Sequence, residues 1–178
     1  MTIRLAEREL ATKFGVFREV LFYDGIFESI ALVMGDVSDG EEVHCRIHSS
    51  CTGGHVFNSI ECECASEMAA AQRVIQKEGR GVIIYLDQEG KGNGHLALMR
   101  SIPFKNAGHS QGEAYQLAGY PVDARSYRPA AAILNELGVA SVILMTRNKS
   151  KAGELKELGV RVSGTAPLDL KEGNDLLG

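Results

Sequence analysis

No stretch of this chain approaches the roughly 18 consecutive apolar residues that a helix needs to cross a bilayer. Its first residues, MTIRLAERELATKFG, also lack the apolar core of a secretory signal. The expectation is a cytoplasmic protein with no membrane partner. A surplus of basic charge is missing too: 19 Lys and Arg stand against 23 Asp and Glu, for a net charge of −4. Binding along a nucleic acid polymer leaves a basic footprint, so no polymer partner is expected. A few well-placed cations still suffice for a small anionic ligand. Nor is there an internal repeat or a linker, and 178 residues are expected to fold as one domain, 1–178, burying its core without disulfides. With 44% apolar and 24% charged residues the composition is that of an ordinary globular protein. Cysteine is scarce but clustered. Of the four, Cys51, Cys62 and Cys64 fall within 14 residues, and in a reducing compartment such a group reads as metal ligands or core rather than a disulfide frame.

Apolar alternation between turn signals predicts strands around Gly15–Tyr23, Ser29–Val37 and Glu42–His48, arranged as a three-stranded meander. Ala65–Glu78, rich in Ala, Glu, Gln and Met with Gly79 just beyond, predicts a helix. Val82–Leu86 is a short buried strand running into the glycine-rich loop Asp87–Gly94. A helix is expected to start at His95 and to end at Pro103. Lys105–Tyr120 carries no clear element beyond a turn of helix. Tyr127–Leu137 reads as a helix, with Pro129 in its first turn and Gly138 after its end. Ala140–Met145 is a strand, Lys149–Leu158 a helix and Val160–Ser163 a last strand. The second half thus alternates β and α, which implies parallel pairing. The expected fold class is α/β, a single mixed-sheet domain.

The cysteine spacing, Cys51-x10-Cys62-x-Cys64, fits a loop wrapped around a metal better than one face of a helix or strand. Zinc favours thiolates in tetrahedral geometry with bonds near about 2.3 Å, and three protein ligands leave one position open, as catalytic sites do. A structural zinc would need a fourth ligand, for which His48 or His55 is close in sequence. Buried, metal-free thiols are the remaining reading. The deaminase pattern of H-x-E with P-C-x-x-C is absent.

The surroundings of these cysteines narrow the choice. The run RIHSSCTGGHVFNSIECEC (Arg46–Cys64) resembles the zinc segment of GTP cyclohydrolase II, R-V-H-S-E-C-x-T-G-D followed by R-C-D-C-G. DQEGKGNG (Asp87–Gly94) resembles that family's R-Q-E-G-R-G-I-G, Asp123-Ala124-Arg125 its D-x-R, and LMTRNKSK (Leu144–Lys151) its L-L-T-N-N-P-x-K. The matches come in the family's order over most of the chain. The resemblance implies a riboflavin-pathway hydrolase, working as a homodimer on a nucleoside phosphate, with GTP as the expected substrate. Its base would be opened with release of formate and pyrophosphate. Cys51, Cys62 and Cys64 would hold Zn2+ with a water in the fourth place, and Mg2+ would assist at the phosphates. Arg46 would meet the triphosphate through its fork of donors, and Lys91 keeps the charge of a family Arg without the fork. Arg125 matches the family's proposed nucleophile on the α-phosphorus and Asp123 the carboxylate that accepts its proton. Because an arginine is effectively always protonated, a phosphate clamp is the alternative role. Thr146 and Lys151 match positions near the phosphates and ribose.

The departures cluster at the base end. Ser50 replaces the Glu before the first cysteine, Ala65 a Gly, Glu67 a Gln, Gln111 a Thr and Ile102 a catalytic Tyr. The family's terminal N-x-x-Y-L-x-T-K is replaced by EGNDLLG. Tyr115, His95 and His109 are the side chains that could supply a phenol or an acid–base group instead. Glu89 in the glycine-rich loop could bind Mg2+ or the base. Two alternatives to GTP opening follow: a paralogue that opens another purine or pyrimidine nucleotide, and a zinc- and nucleotide-binding homologue without turnover.

Overall fold

The chain opens as a long hairpin in which β1 (Ile3–Thr12) runs antiparallel to β2 (Gly15–Tyr23), and β2 in turn pairs antiparallel with β3 (Glu28–Met34). Residues 1–170 are described, in a computed structural model. The seven strands form one sheet in the order β1-β2-β3-β5-β4-β6-β7. β5 (Gly81–Leu86) is the seam. On one side it pairs antiparallel with β3, on the other parallel with β4 (Val43–Ser49). β6 (Val142–Met145) and β7 (Val162–Ala166) extend the parallel half.

The residues of β5 explain its central place. Val82, Ile84 and Leu86 join the core on one face of the sheet, while Ile83 packs into the core on the other. A strand buried on both faces reads as a continuous apolar run, as VIIYL does. The first face is covered by α5 (Arg128–Glu136) and α6 (Lys149–Glu157) through Ile133, Leu134 and Leu155. The second is covered by α2 (Cys64–Glu78) through Ala70, Ala71 and Ile75. Gly79 at φ 69° ends α2 in the left-handed conformation that glycine adopts freely. A short α1 (Thr52–His55) and the pair α3 (His95–Asn106) and α4 (Gln111–Leu117) complete the chain. No helix among the described residues is long and apolar enough to cross a membrane.

The expected α/β mixed sheet is the one observed, with four corrections of detail. The meander is β1-β2-β3; β4 leaves it, because its partner is β5 in parallel. Pro103 lies inside α3 rather than at its end. Both Pro103 and Met99, four residues earlier, are on the exposed side, so the carbonyl left without its partner can be met by water. Residues 111–117 form α4, nucleated by a reciprocal capping box between Ser110 and Glu113. The last strand begins two residues later than expected and runs to Ala166. The divergent C-terminal residues, EGNDLLG, lie outside the described segment.

Three parallel strands end at one edge of the sheet, and each releases a segment that carries predicted site residues. β4 leads into Ser50 and Cys51, β5 into the glycine-rich loop, and β6 into Thr146. The carboxyl edge of parallel strands is where open α/β sheets bind ligands.

Candidate functional site

Cys51 is the N-cap of α1, where its Sγ accepts the Gly54 N–H at 3.4 Å. Cys62 lies in the following loop and Cys64 opens α2. Their three sulfur atoms lie within 4.8 Å of one another, with Cys51 and Cys62 at 3.6 Å. A tetrahedral ion with bonds of about 2.3 Å sets its sulfur ligands about 3.8 Å apart, so the thiols fit zinc. Gly54 permits this closeness, since a Cβ there would meet Cys62 Sγ at 3.0 Å and Cys51 Sγ at 3.4 Å. Burial raises the Cys51 thiol above its ordinary range, and burial followed by the neighbouring Cys62 raises Cys64. A cation would relieve both effects. Cys45 is different: it is fully buried in the core, pushed up to about 12 by burial, and outside the cluster.

The two histidines considered as a fourth ligand face each other instead. His48 Nε2 and His55 Nε2 are 2.9 Å apart, and neither belongs to the cluster of ligating atoms. Arg46 Nε donates to His48 Nδ1 at 3.4 Å. A guanidinium N–H can only donate, so His48 carries its proton on Nε2 and gives that hydrogen bond to His55. Burial above all, then the Arg46 charge, pulls His48 down to about 3, so it stays neutral. The pair braces the metal loop against the sheet, because the His55 N–H also returns to the Cys51 carbonyl at 2.9 Å. Spacing alone gave no sign of this strut.

A second cluster occupies a cavity of about 240 Å3 and brings together five predicted residues: Arg46, Glu67, Arg125, Thr146 and Lys151. Arg46 and Lys151 are buried, at 7% and 6% exposure. Arg46 donates to Glu67 Oε2 at 2.5 Å and to the Met145 carbonyl at 2.9 Å, and Lys151 Nζ donates to the Ile47 carbonyl at 3.1 Å. Lys151 is pulled down to about 8, by burial first and then by the charges of Arg46 and Arg125. Tyr127, which the sequence reading passed over, lies beneath two of these cations: Arg125 Cζ and Lys151 Nζ are 5.9 and 5.4 Å from its ring centre. With Arg147 the lining holds four cations against the one carboxylate of Glu67, a surplus of positive charge that attracts anions.

Arg125 is gripped by Asp123 through two parallel bonds, Nε to Oδ1 at 2.9 Å and Nη2 to Oδ2 at 2.5 Å. Those bonds hold the guanidinium above its ordinary value. For Asp123 burial pushes upward, but the Arg125 bonds together outweigh it and hold the carboxyl below its usual range. The Asp123–Arg125 segment is pinned to the glycine-rich loop, where Ala124 N–H donates to the Lys91 carbonyl at 2.9 Å. Gly92, at φ 80°, allows the approach, since a Cβ would sit 2.7 Å from the Ala124 carbonyl carbon.

Glu89 ties that loop to the metal segment. Its Oε2 accepts the Thr52 N–H at 2.6 Å, one residue beyond Cys51. Ser50 Oγ donates to Asp87 at 3.1 Å and accepts the Gln88 N–H at 3.0 Å. Gln88, also unremarked in the sequence, keeps a buried Oε1 with no donor. The Tyr115 hydroxyl reaches the same loop, 3.2 Å from where a Cβ on Gly90 would stand. Burial, with Glu89 adding, pushes this phenol up to about 12. Gln111 is not drawn into the anion cavity; it donates to Ser101 Oγ at 3.0 Å between α3 and α4. His95 lies 4.0 Å from Glu89 and is half exposed, while His109 is exposed.

The family model described as GTP cyclohydrolase II matches residues 3–167. Among curated relatives, GTP cyclohydrolase-2 of Neisseria meningitidis serogroup A is 41% identical over 169 residues, 94% of this chain and 86% of that protein. GTP cyclohydrolase-2 of Actinobacillus succinogenes is 40% identical over 171 residues, 95% and 79% of the two chains. The riboflavin biosynthesis protein RibBA of Bacillus cereus is 39% identical, and the match takes up 43% of its length. Among solved structures, RibBX of A. baumannii, a two-domain 3,4-dihydroxy-2-butanone 4-phosphate synthase, aligns with a TM-score of 0.51 at 16% identity. That alignment covers 93% of this chain and 40% of the other, and it speaks to the fold alone.

Proposed function

The chain belongs to the GTP cyclohydrolase II family, and from that premise we propose that it opens the imidazole ring of GTP by hydrolysis, releasing formate and pyrophosphate. One observation carries the reading: three thiols in zinc-ligand proximity and a cavity lined by four cations, Arg46, Arg125, Arg147 and Lys151, follow the carboxyl ends of the same parallel strands. A nucleoside triphosphate needs both, one at the base and one at the phosphates.

Cys51, Cys62 and Cys64 would hold the zinc, which when bound activates water at neutral pH. Water adding at C8 opens the ring, and a second water frees C8 as formate; a third water, attacking the α-phosphorus, would release pyrophosphate. Arg46 and Lys151 would receive the phosphate oxygens, with Mg2+ beside them, and Thr146 would offer its hydroxyl. Arg125 acts as a clamp on phosphate in this reading. Its Nε and Nη2 are held by Asp123, and a guanidinium kept protonated by that grip has no lone pair for attack. Tyr115 would donate a hydrogen bond from its protonated phenol, taking the place that Ile102 cannot fill. Ser50 and Glu89 would hold the metal loop and the glycine-rich loop in register, and Lys91 would add a charge at the mouth. Gln111, through Ser101, would fix α4 and with it Tyr115.

Ser50 and Ile102 favour a second reading, in which a different nucleotide base is opened: they stand where the family has a carboxylate and a phenol. The two readings separate on a nucleotide panel with Zn2+ and Mg2+, scored by formate and pyrophosphate. Formate from GTP in preference to ATP, CTP and UTP supports the first. Formate from another nucleotide in preference to GTP supports the second, and unchanged nucleotides throughout would overturn both.

A further inference from the structure

A cavity of about 470 Å3 borders the cysteine loop at Gly54, His55 and Asn58 and shares no lining residue with the anion cavity. Its walls come from both halves of the molecule: Leu10, Phe14, Ile30 and Leu32 from the antiparallel hairpins, Met68 and Arg73 from α2. Sites for small organic ligands have this size and this apolar lining, with a few polar groups that set orientation.

Those polar groups are donors in want of an acceptor. Arg73 Nη1 and Nη2 are both buried with no hydrogen-bond partner among the described residues. The guanidinium lies over the Phe14 ring at 5.7 Å, and Lys13 Nζ lies 5.4 Å from the same ring centre. His55 also lines the cavity, and its Nδ1 is buried and unpartnered. Because the hydrogen bond from His48 occupies His55 Nε2, the proton of His55 resides on Nδ1, which makes that atom a donor too. Among the described residues Glu19 is the one carboxylate in the lining, and it is engaged by Arg8. Buried donors left without acceptors are rare in folded proteins. The group that would satisfy an arginine fork is a carboxylate.

We propose that this cavity is a second ligand site, for a small planar molecule with an apolar body and a carboxylate. The carboxylate would meet Arg73 and the body would lie on Phe14 among the leucines. Arg46, His48 and His55 form one hydrogen-bonded line between the two pockets, and Gly54, which packs on the thiols, borders the new one. The site rests on Arg73 and His55 and does not depend on which nucleotide the protein turns over.

The probe is 2-naphthoate, titrated into the full-length protein by calorimetry, with uncharged 2-naphthamide as its control. Saturable binding of the acid, at least about ten-fold tighter than the amide, is the expected result. Arg73→Met should remove that preference while Lys151→Met keeps it, because Lys151 serves the other cavity. Ser66→Phe, which fills the cavity and leaves Arg73 in place, should abolish binding of both compounds and serves where Arg73→Met disturbs folding. No saturable binding to the wild type, equal binding of acid and amide, or binding that survives both cavity variants would overturn the proposal. So would loss of binding in Lys151→Met alone.

Discussion

Glu67 lies against Arg46, with its Oε2 accepting from Nη2 at 2.5 Å inside the cavity that Arg125 and Lys151 also line. A carboxylate among four cations, Arg147 being the fourth, competes with an incoming phosphate for the same guanidinium. Arg46 is nearly closed off from water, whereas Glu67 is one-third exposed, so the acid can swing away at modest cost and the arginine cannot.

Replacing Glu67 by Gln should therefore tighten triphosphate binding by about 3- to 10-fold, the equivalent of roughly 1 kcal/mol of relieved competition. Inhibition by inorganic tripolyphosphate measures this without reference to the base. Weaker binding in Glu67→Gln would show that the carboxylate helps to build the pocket.

Lys151 sets a limit in alkali. Its folded value of about 8 lies below the ordinary 10.5, so the folded protein loses this proton before the unfolded chain does. Over that window the unfolded state holds more protons, and the contribution of Lys151 to stability rises with pH. The cation offered to a polyphosphate disappears over the same window. Triphosphate affinity should fall as pH rises through about 8, with proton uptake on binding, and Lys151→Arg should hold its affinity to higher pH. Calorimetry in buffers of different ionisation enthalpy measures both effects; a flat profile in the wild type would contradict the assignment.

The His48–His55 strut should govern how firmly the metal loop is held. His55→Ala removes the contact to the sheet but no thiol, and zinc affinity should drop by about 10- to 100-fold, the range seen for residues that orient metal ligands. Competition with a chromogenic chelator reads it directly. Low pH works on the same pair. His48 is held near 3 against an ordinary 6.5, so the unfolded chain gains a proton that the folded one refuses. Stability against urea should fall as pH drops below 6.5, and less so in His48→Phe.

Arg125 and Asp123 offer a test of chemistry. If Arg125 clamps, Arg125→Lys should slow pyrophosphate release about 10- to 100-fold without abolishing it, because the charge remains and the fork is lost. Mass spectrometry of quenched turnover should then find no nucleotide attached to Arg125. An adduct on that side chain would establish it as the nucleophile.

β5, β6, α2, α5 and α6 were legible because their signals are local. VIIYL and the helix stop at Gly79 each announce their element in a few residues, and the ordered motifs from Arg46 to Lys151 announce the family. β1 was not legible. Its IRLAERELAT is made of good helix formers, and it becomes a strand only because β2 offers a partner along its whole length. The place of β4 was missed for a related reason: a strand's neighbour is a non-local choice, and here β5 enters between β3 and β4. α4 did carry a local sign, Ser110 followed by Glu113, obscured by the glycine at 112. At the site, residue types could be read and partners could not. Nothing in the spacing of His48 and His55, or of Tyr127 and Lys151, reveals that they meet.

Release of formate from GTP by zinc-loaded protein, compared with Cys62→Ser, is the most direct measurement. Cys62 is exposed, so its loss should leave the fold intact, and Cys45→Ala serves as the control thiol outside the cluster. The wild type and Cys45→Ala should bind one zinc per chain and release one formate per GTP consumed, while Cys62→Ser should lose both. Formate at the wild-type rate from metal-free Cys62→Ser, or none from the zinc-loaded wild type, would contradict the account.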